Sequence, residues 1–144
     1  MGFITKYNKK YNFHYTKGFG YPLIEDYINE IIKIINNQNF IKNMNAIWDL
    51  RYCKLPDGDN KFNLLLQFIS KAKEVAPNKG DNYKNAIIVD TYDKYVDLSN
   101  YIILADEHKL KFKANIFMDI YEPLTWFDID TKYHNEILNS LLND

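Results

Sequence analysis

Apolar residues recur at alternate positions in Tyr11, Phe13 and Tyr15, which puts all three on one face of an extended segment. A shorter run through Tyr7 precedes them, and the polar Asn8, Lys9 and Lys10 in between predict the turn of a hairpin over residues 3–17. Gly18 and Gly20 are expected to break the second strand. Pro22 suits a first helical position, and Glu25 and Asp26 fall in the first turn, where the helix dipole favours negative charge. From there the period changes. Ile24, Tyr27, Ile28, Ile31, Ile32 and Ile35 recur at three and four, predicting a helix with one broad apolar face that ends over residues 36–39.

The next run, Ala46, Ile47, Trp48, Asp49 and Leu50, is apolar until charge arrives at its end, the pattern of a central parallel strand covered on both faces. Asp57, Gly58, Asp59 and Asn60 form a turn and offer an N-cap. A second helix over residues 60–75 carries Phe62, Leu65, Leu66, Ile69 and Ala72 at helical spacing, with Pro77 expected to close it. Ala86, Ile87, Ile88 and Val89 make another central strand, and Asp90 or Thr91 caps a third helix bearing Tyr95, Leu98, Tyr101, Ile102 and Ala105. Residues 111–117 alternate as a further strand, residues 122–127 form a short helix that sets Trp126 on the sheet, and Asp130 caps a last helix with Tyr133, Ile137, Leu138 and Leu141 as its stripe. Strands alternating with helices imply right-handed crossovers. The expected fold is α/β: a mostly parallel sheet of about five strands with an antiparallel N-terminal edge hairpin, packed by helices. Residues 1–144 are expected to form a single domain, with a core over about 3–127 and a C-terminal helical extension over about 130–142.

Composition narrows the function classes. A chain of 144 residues with 47% hydrophobic and 16% aromatic content can bury a core of its own. With 18 basic and 19 acidic residues it lacks the positive field that nucleic-acid binding demands, so no nucleic-acid partner is expected. Lys6, Lys9, Lys10 and Lys17, interleaved with Tyr7, Tyr11, Phe13 and Tyr15, suit a face for single strands or an edge guarded against aggregation, and the guard is the more ordinary use. Cys53 is the only cysteine, which excludes an internal disulfide and suits a reducing compartment. No run reaches the length of a membrane span and early lysines interrupt the N-terminal segment, so a cytoplasmic protein without an integral membrane segment is expected. Abundant Asn, Lys, Ile and Tyr beside a single arginine, Arg51, point to an AT-rich host genome.

The order of elements, the strand ending Trp48-Asp49-Leu50-Arg51, the strand Ala86-Ile87-Ile88-Val89 and the closing Phe117-Met118-Asp119 before Trp126-Phe127 resemble the bacterial SpoIIAA-like family of STAS/SEC14 proteins. The likeness spans about residues 3–127 and departs at Pro123, where the family more often has alanine, and beyond Asp130. The resemblance implies a regulatory or ligand-binding domain. STAS domains that switch partners carry a phosphorylatable Ser or Thr just after the Asp-ending strand; between Arg51 and Lys61 this chain has neither, so the phosphoswitch does not carry over.

In an open parallel sheet, ligands bind outside the carboxyl ends of the strands. That rim is expected to gather Asp49, Arg51, Asp90, Thr91, Tyr92 and Asp119 as a ligand- or partner-binding site. Asp49 and Arg51, two apart in an extended segment, point the same way and could orient a polar ligand, or could simply pair with each other. Other signals are weak. Gly18-Phe19-Gly20 lacks the third glycine of a nucleotide loop, and Asp57-Gly58-Asp59 lacks the ligands of a calcium loop. His14, His108 and His134 have no paired metal spacing, and Ser70, Ser99 and Ser140 fall on predicted helices, so neither a metal, a cofactor nor a catalytic constellation is expected. Two functions remain: a non-catalytic module engaging a partner protein or small ligand at the rim, or a SEC14-like carrier of an apolar or lipid ligand in a cavity lined by aromatics such as Phe62, Tyr95 and Trp126. A homodimer through the hairpin edge or the last helix is compatible with either.

Overall fold

The computed structural model describes residues 2–142. In it β1 (Gly2–Asn8) and β2 (Phe13–Gly20) form the antiparallel hairpin. β2 then pairs in parallel with β3 (Asn45–Cys53), β3 with β4 (Lys84–Ile88), and β4 with β5 (Lys113–Phe117), so the sheet runs in chain order from edge to edge. The crossovers are α1 (Ile24–Ile35), α2 (Lys61–Lys79) and α3 (Tyr92–Glu107).

Period-two alternation divides the sheet's side chains between two apolar cores. Trp48, Leu50, Ile87 and Val89 pack with residues of α1, α2 and α3, among them Ile34, Ile69 and Tyr101. Their neighbours Ile47, Ala86 and Ile88 point the other way and join Phe13, Tyr15 and Phe117 under α4 (Tyr121–Trp126) and α5 (His134–Leu142). The terminal helix is therefore more than an extension: Ile137, Leu138 and Leu141 are buried within the second core.

Several boundaries differ from the sequence expectation. The second strand continues through Gly18 to Gly20, because Gly18 serves close packing here: a Cβ there would meet the Phe3 ring at 3.0 Å and Cys53 Sγ at 3.4 Å. Beyond a register shift between Lys17 and Phe19, pairing resumes with Tyr52 and Cys53 of β3. α1 begins at Ile24 behind Leu23, leaving Pro22 outside the helix, and Asp26 Oδ2 accepts the Leu23 N–H at 2.7 Å. On its inner face Ile34 is fully buried, whereas Ile32, expected inside, is exposed. Asn60 holds the N-cap position of α2, but its side chain accepts from Asn63 Nδ2 at 3.2 Å rather than from a backbone amide.

The larger difference is at Pro77, which does not close α2. It sits in the last turn, and the helix runs on to Lys79, with the Gly80 N–H reaching Ala76 O at 3.3 Å. The chain then turns through Gly80 at φ +109°, and Asn43 N–H donates to Lys79 O at 2.8 Å.

Candidate functional site

The rim at the carboxyl ends of the strands is built first by β3. Asp49 and Arg51 share one side of that strand, as their spacing requires. Arg51 Nε and Nη2 donate to Asp49 Oδ1 and Oδ2 at 2.9 and 2.8 Å, and the Tyr15 hydroxyl donates to Oδ2 at 2.5 Å. Asp49 is completely buried. Burial pushes its carboxyl pKa up, but the hydrogen bonds from Arg51 and Tyr15 outweigh burial and hold it below the ordinary carboxylate value. Burial, with the Asp49 hydrogen bond second, raises the Tyr15 phenol; the bond to Asp49 raises Arg51.

The other rim residues are tied in through α3. Lys94 Nζ donates to Leu50 O at 3.0 Å, Arg51 O at 3.3 Å and Asp90 Oδ1 at 2.8 Å, so one ammonium joins the end of β3 to the start of α3. Of the two candidates for the cap of that helix, Thr91 is the one that serves: its Oγ1 accepts the Lys94 N–H at 3.2 Å. Asp119, just past β5, accepts the amides of Tyr121 and Glu122 at 2.8 and 2.9 Å and so holds the start of α4. Asp49, Arg51, Asp90 and Thr91 thus come together, with Asp49 and Arg51 engaged with each other and Asp90 and Thr91 with Lys94. Tyr92 differs, standing 77% exposed.

A second place is of the kind that the alternative expectation, an apolar-ligand carrier, calls for. Between the sheet and helices α2 and α3 lies a cavity of about 440 Å³ within the first core. Its floor is Trp48, Leu50 and Ile87, and its walls include Leu65, Phe68 and Ala72 of α2 and Leu98 and Tyr101 of α3. The lining follows α2 from Phe62 to Lys79, about 25 Å of helix at 1.5 Å per residue. At one end Phe62 is more than half exposed, and a Lys61–Asp97 ion pair of 3.0 Å bridges α2 to α3 at the neighbouring residue. Of the three aromatics expected to line such a cavity, Phe62 does. Tyr95 is exposed on α3, a turn before the Leu98 and Tyr101 wall, and Trp126 lies across the sheet in the second core, 5.7 Å from the Phe117 ring.

The other end of the cavity is polar. Lys79, Tyr83 and Asn85 all line it. Lys79 is 5% exposed and has no acidic partner among the described residues; its ammonium lies 4.8 Å from the centre of the Tyr83 ring. Burial alone pushes its pKa down to about 8. Asn85 is 7% exposed, and its Oδ1 has no hydrogen-bond partner. His14 is fully buried on β2, with Nδ1 3.2 Å from Thr16 Oγ1 and Nε2 unpartnered. Burial, and secondarily the Lys79 charge, hold its pKa well below the usual imidazole range, so the ring is neutral.

A signal for this second place did exist in the sequence. Phe62, Leu65, Phe68, Ala72, Ala76 and Lys79 continue one helical stripe at steps of three and four, straight through Pro77.

Among the described residues no helix is long and apolar enough to cross a membrane. No protein-family model matches the chain, and no curated protein matches it significantly in sequence. The structure is similar to that of an uncharacterized protein of the DUF3478 family with a SpoIIAA-like fold, from Shewanella loihica PV-4. The two share 12% sequence identity and a TM-score of 0.53, over 88% of this chain and 92% of the other. A likeness at that identity concerns the backbone alone, and with the sheet order and the helices on its two faces it leads to one conclusion: this chain has a SpoIIAA-like α/β fold.

Proposed function

We propose that the protein is a binding module that holds an apolar ligand in the cavity between the sheet and helices α2 and α3. The observation that carries this reading is the cavity itself. Its volume of about 440 Å³ lies in the range of small-molecule sites, about 300–1,000 Å³. Aliphatic and aromatic side chains form most of the lining, with a few polar groups among them. Filling such a space with apolar atoms removes surface from water at roughly 25 cal/mol per Å². A fluorescent apolar probe, 1-aminoanthracene, is expected to bind with enhanced emission and to be displaced by a long-chain alcohol. Ala72→Phe, which places a ring against the wall, should weaken that binding at least tenfold; equal binding by this variant, or no binding by the wild type, would overturn the proposal.

The rim supports a second reading, a regulatory module that docks a partner protein at the carboxyl edge. Exposed Tyr52, Tyr92, Met118 and Tyr121 lie at or just past the ends of strands or at helix starts around the Asp49–Arg51 pair. In that reading Asp49, Arg51, Asp90, Thr91 and Asp119 shape the surface, and Tyr92 supplies contact area. A pull-down partner lost by Tyr92→Ala and kept by Ala72→Phe would favour the rim over the cavity.

A further inference from the structure

We infer that the cavity's ligand is a long-chain carboxylic acid whose head is received by Lys79, with Tyr83 and Asn85 beside it and the alkyl chain lying along α2 toward Phe62. This inference rests on the apolar-ligand reading above and adds the ligand's chemical class.

The inference starts from Lys79, which no carboxylate among the described residues neutralises. A lysine residue 5% exposed with no carboxylate partner is an uncommon thing to bury, because taking a charge out of water is unfavourable unless an opposite charge replaces the lost hydration. Only the face of the Tyr83 ring, 4.8 Å away, offers partial compensation. Asn85 also lines the cavity; its orphaned Oδ1 is an acceptor and does not itself bind an anion, so the amide would meet a carboxylate through Nδ2–H. Lys79, Tyr83 and Asn85 all line the cavity, whose lining is mostly apolar. One buried cation, with an amide N–H and a phenol O–H as donors, complements one small anion.

The charge also selects the head group. Among the side chains lining the cavity Lys79 is the one buried cation, since Lys61 lies at the other end and is paired with Asp97. His14, which senses the Lys79 charge, is neutral. A carboxylate matches that single charge. A phosphate monoester, carrying about −1.5 to −2 near neutrality, would leave uncompensated negative charge in the core. The walls suit a single chain: the lining extends along one helix for about 25 Å while enclosing a modest volume.

The test is a calorimetric titration of the full chain at pH 7 with dodecanoic acid and with dodecanol, which share a chain and differ in charge. The wild type is expected to bind the acid about tenfold to a hundredfold more tightly than the alcohol, as a charge-assisted contact in a buried site provides. In Lys79→Met, whose side chain is of similar length and uncharged, the ratio should fall to within about threefold of unity. Equal affinity for acid and alcohol in the wild type would overturn the head-group assignment while leaving the apolar cavity intact. Binding of neither would overturn both. The wild-type comparison needs no variant, so it decides the question even if Lys79→Met folds poorly. Dodecyl phosphate added as a third ligand should bind more weakly than the acid, and tighter binding would replace carboxylate by phosphate.

Discussion

Lys79→Met should make the ligand-free protein more stable, which is the opposite of what removing a buried side chain usually does. In the native state burial lowers the ammonium's pKa from 10.5 to about 8. A difference of about 2.5 pH units at about 1.4 kcal/mol each corresponds to about 3 kcal/mol by which the folded state disfavours the charged form. Methionine fills a similar volume without that charge. Losing the contact with the Tyr83 ring offsets about 1 kcal/mol, leaving a net gain of about 2 kcal/mol at pH 7. The sign of the pH dependence follows from which state binds the proton. Between pH 8 and 10.5 the unfolded chain holds the Lys79 proton more tightly than the folded one, so wild-type stability attributable to this group rises across that window. The advantage of the variant should therefore be largest at and below pH 7 and shrink toward pH 9.5. The groups facing Lys79 do not blur this comparison. His14 is buried and neutral, and the Tyr83 and Tyr101 phenols, raised by burial, stay protonated in both proteins. Urea unfolding of both proteins at pH 6.5, 8 and 9.5 reads the effect. A variant destabilised by more than about 1 kcal/mol at pH 6.5, or a gap that does not change with pH, would refute the reasoning.

Arg51→Met should be destabilising by about 2–4 kcal/mol, because it strands the fully buried Asp49 carboxylate with only Tyr15 and the Arg51 backbone amide as donors. Asp49 is held below its ordinary pKa in the native protein, so it contributes stability above the unfolded value near 4, lost as pH falls through the folded one; the variant should unfold at a higher pH in an acid titration followed by circular dichroism, and an unchanged midpoint would contradict the pairing. Gly80→Ala should lose more than about 1 kcal/mol in urea unfolding, since φ there is +109° and an added Cβ would collide with the Asn43 side chain. Thr91→Ala should lose about 1 kcal/mol by the same assay through loss of the α3 cap; no loss would show that Asp90 substitutes for it.

Much of the architecture could be read from periodicity. Tyr11, Phe13 and Tyr15 on a period of two, the blocks at Ala46 and Ala86, and the stripes between them are enough to order strands and helices into a mostly parallel sheet. The errors fall where a residue's usual local meaning yields to packing. Gly18 reads as a strand breaker, yet it is the one residue type that lets the Phe3 ring and Cys53 approach β2. Pro77 reads as a helix stop, yet the helix runs through it to Lys79: its missing N–H forfeits the bond to the Lys73 carbonyl, while the Gly80 N–H still reaches Ala76 O.

The same habits hide the polar end of the cavity. Lys79 lies beyond the proline expected to close the helix, and Asn85 precedes the apolar block Ala86, Ile87, Ile88 and Val89, so neither falls on a predicted element. At the rim, spacing did place Asp49 and Arg51 on one side, but it could not tell a ligand-facing pair from one that closes on itself at 2.8 and 2.9 Å. That distinction depends on three-dimensional burial and on Tyr15, which arrives from another strand.

A titration of isotopically labelled protein with dodecanoic acid, followed residue by residue by NMR, tests the central claim most directly. Shifts concentrated on Leu65, Phe68, Ala72, Lys79, Tyr83 and Asn85, with little change at Arg51, Asp90 and Tyr92, are the predicted result. Shifts confined to those rim residues, or none at all, would contradict it.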